Sequence, residues 1–123
     1  MNTSLERRTK YPLQRMQMER EGYKDVSEEE AELYASIGKR DFYKIVDFGF
    51  RNAYWSCKFM EVVPGDRNYR EMFEFARKSA VRAALQVVYD GHSDYAVMVC
   101  MSDKEIVKTI NEPLEEMVEV EHE

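Results

Sequence analysis

The sequence predicts a two-layer α+β domain: an antiparallel β-hairpin and one further strand packed on two helices, followed by a C-terminal helix. Three observations predict it. Residues 69–87 carry apolar side chains at helical spacing, with Tyr69, Met72, Phe73, Ala76, Ala80, Ala83, Ala84 and Val87 at i, i+3, i+4, i+7, i+11, i+14, i+15 and i+18. Residues 42–63 are instead rich in aromatic and β-branched side chains, the composition that strands prefer. Residues 95–101 (Tyr-Ala-Val-Met-Val-Cys-Met) form a nearly continuous apolar run, as a strand buried on both faces does.

Taken in chain order, residues 1–24 read as a flexible, mildly basic arm. Arg7, Arg8, Lys10, Arg15, Arg20 and Lys24 stand there against three acidic side chains, with a fourth at Asp25. Tyr11, Leu13 and Met16 suit an edge strand, because Pro12 cannot donate to a ladder. Ser27-Glu28-Glu29-Glu30 is a capping box: the serine hydroxyl accepts from the N–H three residues on, while Glu30 reaches back. Leu33, Tyr34 and Ile37 then share one face, and Gly38 suits the position just past a helix end, which predicts a helix over 28–37.

Phe42 to Phe50 reads as the first hairpin strand, Arg51-Asn52 as its turn, and Ala53 to Val63 as the second strand. In the second strand Ala53, Trp55, Cys57 and Phe59 alternate with Tyr54, Ser56 and Lys58. Pro64-Gly65-Asp66 breaks the chain and leaves Asp66 to cap the long helix, whose alanines are small enough to approach a sheet closely. Asp90 to Asp94 is a turn by composition. A second capping box, Ser102 to Glu105, opens the last helix with Ile106, Val107 and Ile110. Pro113 ends or kinks that helix, although Leu114, Met117 and Val118 keep its phase. Counting the arm's strand, residues 10–102 follow the β-α-β-β-α-β order of ferredoxin-like domains, the split βαβ arrangement. The expected organisation is an arm over 1–24, a single α+β domain over 25–111 and an acidic tail over 112–123.

The chain's 18 Lys+Arg against 24 Asp+Glu give a net charge of −6, with two basic and eight acidic residues in 102–123. That balance argues against a protein that coats nucleic acid by bulk charge. No apolar run approaches the roughly 18 residues of a membrane span, and no leader pattern opens the chain, so a cytoplasmic protein is expected. Cys57 and Cys100 make neither a disulfide framework nor a zinc set, and in apolar strands both would be inert. The five glycines are isolated, which excludes a phosphate-binding loop, and Ser93 and Ser102 lack the glycines of a nucleophile elbow. Asp90, His92 and Asp94 alternate ligand types, yet an Asx turn with an exposed histidine accounts for them. The expectation is a protein with no enzymatic activity, metal or cofactor.

Fifteen aromatic residues (Phe 6, Tyr 8, Trp 1) and eight methionines are side chains that interfaces favour. The function expected is protein–protein binding, as an adaptor, inhibitor or regulatory subunit. An aromatic hairpin face of Tyr43, Tyr54, Trp55 and Lys58 would make the contact, and the acidic tail would steer toward a basic patch. The partner is not named by the sequence, and a second copy of the chain is among those it allows. The alternative is single-stranded nucleic acid stacked on the same rings, with phosphates on Arg7, Arg8, Lys10, Arg15 and Arg51. Phe48-Gly49-Phe50 resembles the centre of the RNA-recognition-motif consensus over three residues. Asp47 stands near where that family carries a basic residue and a glycine, and the family is not assigned.

Overall fold

A computed structural model describes residues 9–91 and 95–111, and every regular element in them is helical. In chain order these are α1 (Pro12–Arg20), α2 (Glu28–Ile37), α3 (Lys39–Phe59), α4 (Arg67–Tyr89) and α5 (Tyr95–Cys100). A further helix, α6, covers 103–111. The expected α+β architecture is thereby corrected: among the described residues there is no strand, no β-hairpin and no split βαβ sheet.

Each correction has a physical reason. The segment expected to form the hairpin is the single helix α3, and Arg51-Asn52 lies inside it rather than at a turn. Its buried residues Phe42, Ile45, Val46, Gly49, Ala53 and Cys57 fall at i, i+3, i+4, i+7, i+11 and i+15, a helical period hidden under strand-like composition. Once that hairpin is absent, the apolar run at 95–101 has no neighbour to complete a ladder, and it closes its backbone bonds locally as α5. The arm's edge strand is α1 instead, with Pro12 at the helix start, where its missing N–H costs nothing.

The local signals for α2, α4 and α6 match the structure. Ser27 Oγ accepts from the Glu30 N–H at 3.1 Å, and Glu30 Oε1 accepts from the Ser27 N–H at 3.0 Å. Asp66 caps α4 by accepting from the Asn68 N–H at 2.9 Å, and Ser102 accepts from the Glu105 N–H at 3.3 Å. Between α2 and α3 the whole joint is Gly38, at φ 91° and ψ 166°, a conformation open essentially to glycine alone.

α3 and α4 form an antiparallel helical hairpin: Cys57 meets Met72, Phe50 meets Phe73, and Gly49 meets the backbone of Ala76 and Arg77. The core occupies only one end of it. Met18, Val26, Leu33 and Tyr34 from the α1–α2 region close over Phe42, Ile45 and Val46 of α3 and Val81, Ala84 and Leu85 of α4. Toward the α3–α4 turn, between residues 50 and 76, only Ala53 and Cys57 are buried. That half of the hairpin projects beyond the core.

Two carboxylates tie the core end together. Glu21 accepts from Tyr43 Oη at 2.6 Å, Tyr34 Oη at 3.2 Å and Gln17 Nε2 at 3.2 Å, and pairs with Lys39 Nζ at 2.8 Å. Burial alone would raise its carboxyl, but the bonds from Lys39, Tyr43 and Gln17 and the lysine charge outweigh burial and hold it at about 2 instead of 4.5. Because the folded carboxyl titrates below the unfolded one, its stabilisation is complete above about pH 4.5 and drains away as pH falls toward 2. Glu21→Gln should therefore flatten the acid limb of stability, removing about 1–2 kcal/mol after solvent screening at the exposed Lys39 is allowed for. Urea midpoints at pH 6, 4.5 and 3 test this, and parallel curves for the two proteins would refute it. The second carboxylate, Glu30, is 1% exposed; it accepts from Tyr23 Oη and lies 3.6 Å from Arg77 Nε.

Candidate functional site

The projecting half of the hairpin carries an open apolar groove of about 820 Å³ between α3 and α4. Small side chains make its floor: Gly49 and Ala53 from α3, and Ala76, Ala80 and Ala83 from α4. The floor is low because the two backbones touch at Gly49, where a Cβ would stand 2.9 Å from the Ala76 carbonyl oxygen. Large flexible apolar side chains make the walls, with Met60 and Phe48 on α3's side, Met72 and Phe75 on α4, and Met98 from α5 at one end. Polar atoms enter only at the margins, from Asn52, Ser56, Asn68, Glu71 and Ser79. Phe75 is 74% exposed and Met60 65%, and Phe59 and Val63 nearby are exposed too. Apolar side chains clustered this way around a concave surface are the mark of a binding site rather than of scattered surface residues.

The residues expected to bind a partner are divided by the fold. Tyr54, Trp55 and Lys58 come together on α3, the two rings edge-on at 5.1 Å and the lysine ammonium 5.5 and 5.3 Å from their centroids. Tyr43 belongs to the core end, where its hydroxyl is held by Glu21 and its ring packs at 5.2 Å on Phe42. The hairpin face as conceived does not exist, since these residues share a helix and not a pair of strands.

The basic residues of the nucleic-acid alternative are largely occupied. Arg15 donates to the Val26 carbonyl and pairs with Glu28 at 3.5 Å. Arg51 bonds Asp47 at 2.9 Å, the Met101 carbonyl at 2.8 Å and Asp103 at 3.1 Å, clamping the α5–α6 junction to α3. Lys10 is exposed, and its backbone N–H is held by Glu28 at 2.8 Å. Arg7 and Arg8 lie outside the described residues, as do His92, Asp94, Pro113 and the acidic tail. Asp90 accepts from Gln86 at 3.0 Å, and among the described residues no three His, Cys, Asp or Glu side chains gather as a metal set. Cys57 is buried, which pushes its thiol up, and its Sγ sits 3.5 Å from Met72 Sδ; Cys100, expected to be buried, is exposed. No helix among the described residues is long and apolar enough to cross a membrane.

Sequence reasoning missed the groove residues Met60, Met72, Phe75 and Met98. A signal was present in the small residues, which recur at helical spacing on both long helices (Gly49, Ala53, Ser56; Ala76, Ser79, Ala80, Ala83). Read together they describe two helices that approach closely, not one helix against a sheet. Compared with protein-family models, curated proteins and solved structures, the chain matches none.

Proposed function

We propose that this chain acts by protein–protein binding, taking an apolar helical surface of a partner into the groove between α3 and α4. The observation that carries this reading is the groove itself: a floor of small residues that runs about two helical turns along α4, from Ala76 to Ala83, walled by Met60, Met72 and Phe75. A floor of glycine and alanine lets a helix backbone approach closely. Methionine walls adapt to the anchors it inserts at i, i+3, i+4 and i+7. The margins offer amide and hydroxyl groups that orient an occupant, and no cluster of nucleophile and base that would transform it. An adaptor, inhibitor or regulatory subunit works this way.

A phage-displayed library of amphipathic helices of about 16 residues, roughly 24 Å long, is a direct test. Selected peptides should carry large apolar residues on one face and bind Phe75→Glu at least tenfold more weakly, about 1.4 kcal/mol. Selection of nothing above scrambled sequence, or equal binding to Phe75→Glu, would overturn the proposal. Titrating Trp55 fluorescence with mixed-sequence single-stranded DNA at low salt supplies the contrasting arm, since saturable, salt-reversible quenching would favour nucleic acid.

A further inference from the structure

Resting on the groove as a docking surface, we infer that its occupant is a second copy of this chain. The two α3–α4 hairpins pack antiparallel about a two-fold axis near Phe75 and complete a four-helix bundle. The first argument is the half-built core. Between residues 50 and 76 the hairpin buries only Ala53 and Cys57, so among the described residues no layer packs on the outer apolar faces of its two helices.

The second argument is self-complementarity. A two-fold interface uses one patch twice, so that patch must hold both the protruding group and the depression that receives it. Here Phe75, the protruding ring, lies on α4 beside the depression floored by Ala76, Ala80 and Ala83. Charge repeats the pattern. Glu71 and Lys78 are seven residues apart on α4, hence on one face, and an axis crossing α4 between residues 74 and 75 sets each against the other in the second copy. Two such pairs form by symmetry. Glu71's present partner is Arg67 at 2.9 Å, an exposed pair that is easily exchanged.

The chain's net charge does not oppose this. Arg7 and Arg8 are the basic residues outside the described part; Glu6, Asp94 and the six glutamates of 112–123 are the acidic ones. Removing those two from 18 and those eight from 24 leaves 16 of each sign among the described residues. The area is also of the right order. Phe59, Met60, Val63 and Phe75 leave on the order of 400 Å² exposed per copy, half of the roughly 800 Å² per partner of a stable interface. The groove's floor and its other walls supply further surface.

Sedimentation velocity of the full chain from about 1 to 100 μM tests the inference. The wild type should sediment at twice 14.6 kDa at the upper concentrations, and Phe75→Glu as a monomer with an unchanged melting curve. If Phe75→Glu fails to fold, Met60→Glu takes its place. Glu71→Lys and Lys78→Glu should each raise the dimer dissociation constant about tenfold, and the double charge reversal should bring it back to within about threefold. A monomeric wild type, a dimer indifferent to Phe75 and Met60, or a double reversal without recovery would each overturn the inference. A monomer that still binds the selected helices in a Phe75-dependent way removes only the second copy; a monomer that binds none removes the docking site as well.

Discussion

Gly49→Val is expected to be among the most destabilising single substitutions in this protein, lowering stability by about 3 kcal/mol. A Cβ at this position would lie 2.9 Å from the Ala76 carbonyl oxygen, 3.1 Å from the Arg77 Cα and 3.2 Å from the Ala76 carbonyl carbon. All three are backbone atoms, so no rotamer change relieves the overlap and the two long helices must separate. Gly49→Ala meets the same obstacle with one carbon, and the better helix propensity of alanine returns about 1 kcal/mol, so its net cost should be near 1. Valine adds two methyl groups in the same gap and gains less helix propensity. Ala35→Val, at an exposed site on α2, is the control and should cost under about 1 kcal/mol. Urea unfolding of the four proteins decides the matter. The order wild type, alanine, valine is expected from a helix crossing. In a β-strand valine would be the preferred residue, so a valine variant as stable as wild type would count against the helical hairpin itself.

Arg77→Ala is the second large effect, with an expected loss of about 3–4 kcal/mol at neutral pH. Arg77 is the cation facing Glu30, 3.6 Å away, and its guanidinium stacks on Tyr23 at 5.5 Å from the ring centroid. Burial pushes the Glu30 carboxyl above the usual carboxylate range, against the pull of the Ser27 N–H and the charges of Arg77, Lys78 and Arg15. Without Arg77 the carboxylate stays buried with less compensation, and its carboxyl rises further. A group whose folded carboxyl titrates above the unfolded one takes up a proton on folding, so it costs stability above that range and ceases to do so as pH falls through it. The Arg77→Ala deficit should therefore be largest near pH 7.5 and shrink toward pH 4.5. Glu30→Gln combined with Arg77→Met should lose much less than the two single losses added together, because neither charge is then left behind. A deficit that is independent of pH, or strict additivity in the double variant, would show that Arg77 acts through packing alone.

Much of the fold was legible wherever the signal was short-ranged. The capping box at Ser27 and the caps at Asp66 and Ser102 are hydrogen bonds between residues two or three apart, set by the local sequence. The apolar spacing over 69–87 is likewise complete within one segment, and α4 forms there. The candidate site was hardly legible. Tyr54, Trp55 and Lys58 do meet, because they are neighbours on one helix, but the groove needs Gly49 and Met60 beside Met72 and Phe75, and no single segment contains that pairing.

The sequence by itself determined where α2, α4 and α6 start and which face of α4 is apolar. Tertiary structure decided α3 and α5. From Phe42 to Cys57 the apolar side chains satisfy a strand's composition and a helix's period at once, so local preference leaves the choice open. The choice falls to whichever arrangement finds a partner. α4 offers the small Ala76 for Gly49 to pack on, whereas no described segment offers α3 a strand ladder. Packing between distant residues thus settled the backbone, and it opened the groove in doing so.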